Sequence, residues 1–292
     1  MADTDVTLLA PDGRALAATL FTPERETGPA VLVAGATGVP RRFYRRFAEW
    51  LAAQGATVLT LDYRGIGGSR HPNGPRRDAA TMAEWGSTDL NTGLDYLIGR
   101  DPERPIAVVG HSAGGWLLSF APNGQLVSAV LTVASQSGYW RNWTGPMRFT
   151  RFVQWHLALP AMVGILKALP GRLFGGEALP AGVARDWARW GRRPSFVDGA
   201  GALPPERRYA GPLLAVAVPG DPYAPETGVH WLPSLYPAAR SHVHVLHPRH
   251  RALGHFGAFR SGATPLWTEA WTWLLAATAG RQPLGDADRP RR

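Results

Sequence analysis

A serine framed by glycines between a strand and a helix leaves a chain few folds to choose from, and Gly110-His111-Ser112-Ala113-Gly114 is such a motif. The apolar run Ile106 to Val109 precedes it and Gly115-Trp116-Leu117-Leu118 follows. A serine at that junction occupies a tight turn, and glycines two residues to either side let backbone pass close enough for the hydroxyl to stand exposed. With 11 serines and 34 glycines in 292 residues, chance supplies about 0.15 such matches. The motif points to a serine nucleophile, with an ordinary glycine-rich turn as the alternative.

Around it, short β-type runs alternate with helical stretches. The strands expected are Val6–Leu9 and Ala15–Phe21, joined by Pro11-Asp12-Gly13, then Ala30–Ala34, Thr57–Leu61, Ile106–Val109, Ala129–Val133, Leu213–Val218 and His242–Leu246. Helices are expected over Phe43–Gln54, Thr88–Ile98 and Ala113–Phe120, the first two closed by Gly55 and Gly99, with a last helix from near Pro265. This alternation predicts an α/β fold: an eight-stranded, mostly parallel sheet with helices on both faces. Between Gly138 and Pro205 no β-type run occurs, and five of the twelve tryptophans fall there. The segment 138–205 reads as an inserted helical cap on a core of residues 1–137 and 206–292.

Composition narrows the function classes. The chain has no cysteine, which excludes disulfides, thiolate metal sites and a cysteine nucleophile, and fits a cytoplasmic setting. Met1-Ala2-Asp3-Thr4-Asp5 lacks a signal peptide's basic start, and the apolar stretches fall short of the ~18 residues a span requires, so membrane insertion is not expected. The net charge is +9, and Gly138–Arg208 holds ten arginines and one lysine against four carboxylates. No helix-turn-helix, RNP or zinc-finger pattern accompanies these charges, so nucleic acid is not an expected partner. Attraction of an anionic substrate and a merely solvated arginine surface both remain open.

A serine hydroxyl needs a base. In this architecture the base follows the last strand and the acid precedes it, in the order Ser, Asp/Glu, His. His255, in Leu253-Gly254-His255-Phe256-Gly257, fits best; His247 and His250 share its loop, while His242 and His244 alternate with valines as one strand face. Asp221, in the turn Pro219-Gly220-Asp221-Pro222 just past Leu213–Val218, is the expected orienting carboxylate. Its alternatives are Glu226 as the acid, or an Asx-turn role for Asp221 itself. The expected oxyanion donors are the Ala113 and Ala36 amides, with Thr37 adding its hydroxyl, because Ala34-Gly35-Ala36-Thr37-Gly38 directly follows the third strand. A dinucleotide loop there lacks the G-x-G-x-x-G spacing. Trp140, Trp143, Trp155, Trp187 and Arg141 from the cap, with His111 of the elbow, are candidate substrate-binding residues; the tryptophans equally suit a small core of the cap itself.

These motifs together resemble the α/β-hydrolase superfamily, and within it hydrolases related to the serine aminopeptidase and monoglyceride-lipase-like group. Leu61-Asp62-Tyr63-Arg64-Gly65-Ile66-Gly67-Gly68-Ser69 is similar to that superfamily's turn after its fourth strand, and Asp221-Pro222-Tyr223-Ala224-Pro225 and Gly254-His255-Phe256-Gly257 to its acid and histidine loops. Ala34-Gly35 stands where the family usually has His-Gly. The resemblance implies the α/β-hydrolase fold and a triad of Ser112, Asp221 and His255. No metal or cofactor is expected. The expected reaction is cleavage of a carboxylic ester, thioester or lactone through an acyl-serine, on a small-molecule substrate with an apolar part. Any anionic group would sit near Arg141, Arg148 or Arg189. Non-hydrolytic chemistry by the same Ser/His pair (a lyase, cyclase or isomerase) and a ligand-binding receptor are the alternatives. The sequence does not give the oligomeric state.

Overall fold

The computed structural model describes residues 1–197 and 203–279. The charged tail at 286–292, and 198–202 of the expected cap, lie outside the described residues.

Strands β1 (Ala2–Leu9), β2 (Ala15–Thr22), β3 (Ala30–Ala34), β4 (Thr57–Leu61), β5 (Ile106–His111), β6 (Ala129–Val133), β9 (Pro212–Ala217) and β10 (Arg240–Val245) form one sheet in the order β1-β2-β4-β3-β5-β6-β9-β10. Only the β1–β2 and β2–β4 pairings are antiparallel. Every residue of β3, β4, β5 and β6 is buried, which is why these strands read as continuous apolar runs: in a parallel sheet covered on both faces neither side meets water. The edge strand β10 alternates between exposed and half-buried residues, and His242 and His244 stand on its exposed face.

The helices that matter for the site are α1 (Arg45–Ala53), α2 (Asn91–Arg100) and α3 (Ala113–Leu117) in the core. Between β6 and β9 lie α4 (Gly145–Val153), α5 (Leu159–Leu166) and α6 (Ala181–Gly191), and the chain closes its described part with α7 (Thr264–Thr278). A π turn, Gln154–Ala158, joins α4 to α5. The β6–β9 segment is not free of strands as its sequence suggests: Ala168–Leu169 (β7) and Leu179–Pro180 (β8) pair antiparallel. Two-residue strands are too short to leave a periodic signal. The parallel topology puts the loops after β3, β5 and β9 at one edge of the sheet, where ligands bind in open α/β folds.

Candidate active site

Ser112 directly follows β5 and takes φ 51°, ψ −112°. Its N–H donates to the Val133 carbonyl at 3.0 Å, locking the turn to β6. The flanking glycines are required by space: a Cβ at Gly110 would lie 2.5 Å from the Gly115 Cα, and one at Gly114 2.0 Å from the Ala34 carbonyl oxygen. Helix α3 therefore packs directly on the sheet, and Ser112 is left half-buried, facing a cavity of about 500 Å³.

His255 lines the same cavity. Its Nδ1 lies 2.7 Å from Asp221 Oδ2. Asp221 is also an Asx-turn residue: Oδ1 accepts from the Tyr223 and Ala224 amides at 2.8 and 3.1 Å. The two roles are one device, since those amides hold the carboxylate so that Oδ2 meets the imidazole. A carboxylate oxygen on Nδ1 favours the tautomer that leaves Nε2 free as a base. The other candidates lie elsewhere. His247 accepts from the Arg249 amide, His250 from Arg249 Nε, and Glu226 pairs with His230 at 3.5 Å.

The oxyanion loop departs from expectation. The Ala36 N–H points inward and donates to Tyr44 Oη at 2.8 Å. Tyr44 Oη lies 2.8 Å from His111 Nδ1, and His111 Nε2 lies 2.8 Å from the His255 carbonyl. A carbonyl only accepts, so Nε2 carries the proton, Nδ1 accepts, and the Tyr44 hydroxyl donates to it while receiving the Ala36 amide. The Ala36 amide is thereby removed from the oxyanion donors. Thr37 lines the cavity, and its N–H has no acceptor among the described residues. Ala113 is the first residue of α3, so its N–H has no intrahelical partner. Burial, with the nearby His255, pushes the His111 pKa well below 6.5. Burial likewise raises that of Tyr44.

His111 is fully buried beneath the elbow and cannot touch substrate as expected. Trp143, Trp155 and Trp187 do line the cavity, with Trp116, Met162 and Phe174. Trp140 and Arg141 do not: the Trp140 ring packs on Phe152 and His156, and the Arg141 and Arg148 guanidinium groups cover it at 4.9 and 5.3 Å. Arg189 pairs with Asp186 at 2.8 Å. The cation lining the cavity is Arg151, which the motif reading passed over. A helical stripe would have shown it, because Met147, Arg151, Gln154, Trp155, Ala158, Leu159 and Met162 recur at intervals of three and four and all line the cavity. Tyr44 left no such signal.

Residues 28–163 match the family model described as "Serine aminopeptidase, S33". The match includes the elbow but neither Asp221 nor His255. A search of curated protein sequences finds no significant match. Among solved structures, monoglyceride lipase from Saccharomyces cerevisiae is 15% identical with TM-score 0.67, covering 95% of this chain and 97% of its own. The α/β hydrolase GrgF from Penicillium sp. sh18 is 16% identical with TM-score 0.64, covering 96% and 100%. Est1E from Butyrivibrio proteoclasticus, with ferulic acid bound, is 16% identical with TM-score 0.58, covering 94% and 100%. The chain has the α/β-hydrolase fold. As in any α/β-hydrolase fold, the loops after the parallel strands carry the chemistry, and here they bring Ser112, Asp221 and His255 to one end of the sheet.

Proposed function

We propose that this α/β-hydrolase-fold protein is a serine hydrolase acting on a carboxylic ester, thioester or lactone with an apolar part. The observation that carries the reading is the opening of Ser112 and the Asp221-held His255 onto a single cavity. His255 Nε2 takes the Ser112 Oγ proton as Oγ bonds to the carbonyl carbon. The displaced electron pair gathers on the carbonyl oxygen, held by the Thr37 and Ala113 amides. Collapse breaks the bond to the leaving oxygen or sulfur, which departs with the proton from His255. Water, giving its proton to His255, then adds to the acyl-serine, and Oγ leaves with that proton. The sum is substrate plus water to acid plus alcohol or thiol.

The family match and the lipase and esterase neighbours support a hydrolase. Against an aminopeptidase, no carboxylate among the described residues lines the cavity to receive a substrate ammonium. The β6–β9 segment serves as the cap in this reading, since its Trp143, Trp155, Trp187 and Phe174 line the cavity that Ser112 faces. The cysteine-free composition favours a cytoplasmic setting. Incubation with a fluorophosphonate followed by peptide mass spectrometry tests the mechanism. One adduct per chain, on Ser112 and lost in Ser112→Ala and His255→Ala, is expected; folded protein that takes no label overturns it.

A further inference from the structure

Arg151 is a cation on the wall of an otherwise largely apolar cavity, and its protein partners are all neutral. Nη1 donates to Gln154 Oε1 at 2.6 Å and Nη2 to the Pro222 carbonyl at 3.2 Å. The guanidinium lies over the Trp143 and Tyr223 rings at 5.0 and 5.8 Å. Its Nε–H is buried without an acceptor. Of five N–H groups, protein acceptors take only two. The carboxylate whose attraction Arg151 feels, Asp221, is engaged with His255 and two amides. An arginine cannot shed its proton to relieve such a charge. Burial disfavours the cation and pulls its pKa below the ordinary guanidinium value, against the attraction of Tyr223 and Asp221. A partly buried guanidinium without an anion beside a reactive serine is an unfilled half of a charge pair.

The position of Arg151 also says which half of the substrate would fill it. Arg151 stacks on Tyr223, and the Tyr223 ring centroid lies 5.2 Å from that of His255. The leaving group must lie beside His255 to receive its proton. We infer that the substrate is an ester whose leaving alcohol carries a carboxylate, and that Arg151 is the residue that binds it, with the acyl chain along Trp155, Leu159, Met162 and Trp187. The inference rests on the serine-hydrolase reading for its orientation.

Four esters test it: the hexanoyl esters of 4-hydroxybutyrate and of neutral 4-hydroxybutyramide, the monobutyl ester of a six-carbon diacid, which moves the carboxylate to the acyl side, and the hexanoyl ester of butanol as its neutral reference. The wild-type protein should favour the first over the second by about tenfold or more in kcat/KM, the range of a charge-assisted hydrogen bond. The third should show no such preference over hexanoyl butanol. In Arg151→Gln the first ratio should fall towards one, and Arg151→Lys should restore part of it. Because the ratio compares two substrates on one protein, a general loss of activity leaves it readable. A wild-type ratio near one, a ratio that survives Arg151→Gln, or preference for the acyl-side carboxylate overturns the inference. Calorimetric binding of 4-(hexanoylamino)butanoate needs no turnover. Weakening of its Kd by about tenfold in Arg151→Gln supports the anion site even where fluorophosphonate labelling fails. Equal binding to both proteins overturns it.

Discussion

Ser112 holds a positive φ that costs an ordinary residue about 1–3 kcal/mol, and the surrounding glycine contacts and the Val133 hydrogen bond enforce it. Strain held at the proposed nucleophile implies that loss of its hydroxyl affects the chemistry far more than the fold. Ser112→Ala should lower kcat for a responsive ester by about 10⁴ to 10⁶, with an unchanged or slightly raised Tm. Retained turnover would count against an acyl-serine. Asp221→Asn should cost about 10⁴ in kcat by favouring the wrong His255 tautomer. His111 gives a separate test at the same scale, through stability. Its folded pKa lies well below the ordinary 6.5, so the unfolded chain binds a proton that the folded chain refuses. The contribution of neutral His111 is present in full above about pH 6.5. It is lost as the pH falls from there towards the folded value, by up to about 1.4 kcal/mol per pH unit. Urea midpoints at pH 8, 6.5 and 5 should fall more steeply in the wild type than in His111→Gln, and identical slopes would contradict this account.

At the scale of elements, the Tyr44 network joins parts that are distant in sequence: the loop after β3, the start of α1, the end of β5 and the histidine loop. Tyr44→Phe keeps the ring but orphans the buried Ala36 N–H and His111 Nδ1. At about 1–3 kcal/mol for each of the two unsatisfied groups, the loss should be about 2–6 kcal/mol by urea denaturation; a loss under 1 kcal/mol would mean that the groups find other partners. Nothing in the sequence announces this network, because it depends on where two side chains and two backbone groups from four segments meet. What the sequence does show is local. The buried runs of β3 to β6 are legible because both faces demand apolar side chains. Ser112, Asp221 and His255 are legible because each sits in a glycine- or proline-bound turn at the end of a strand. The expected helix over Thr88–Ile98 shows the limit. The chain forms a short turn Met82–Glu84, a π turn Trp85–Leu90 and only then α2. The π turn aims Asp89 at Arg64, whose amide and Nε it accepts at 2.8 and 2.7 Å, and no periodicity encodes that extra residue per turn. Likewise the arginines expected to meet an anion were chosen by abundance. Arg151 of α4 faces the cavity, whereas Arg148 of the same helix and Arg141, in the turn before it, cover Trp140.

At the scale of the molecule, the question is what fastens the β6–β9 segment to the sheet around the serine. Glu177, in the loop between β7 and β8, accepts from the Gly67 amide at 2.8 Å and pairs with Arg70 at 2.7 Å and Arg42 at 3.2 Å. Its own N–H donates to the Gly38 carbonyl at 2.7 Å, and Phe174 packs so closely on Gly38 that a Cβ there would lie 2.8 Å from the ring. One carboxylate thus ties the β7–β8 loop to the turn after β4, while its backbone ties the same loop to the turn after β3. Burial works against the charged form, but the Gly67 amide, Arg70 and Arg42 outweigh it and hold the Glu177 pKa below 4.5. A depressed acid contributes above its unfolded pKa and fails as the pH falls through the folded one, so the tie should be intact at neutral pH and loosen in acid below about 4.5. Glu177→Gln keeps the size and removes the charge. Hydrogen exchange of amides between residues 171 and 180 should then quicken at pH 7 to the wild-type rate seen in acid, after correction for intrinsic exchange, while the amides of β3 to β6 stay protected. If exchange in that loop is unchanged, the Phe174 and Gly38 packing alone holds the loop. If β3 to β6 loosen with it, Glu177 supports the whole fold and the β6–β9 segment is not separately fastened.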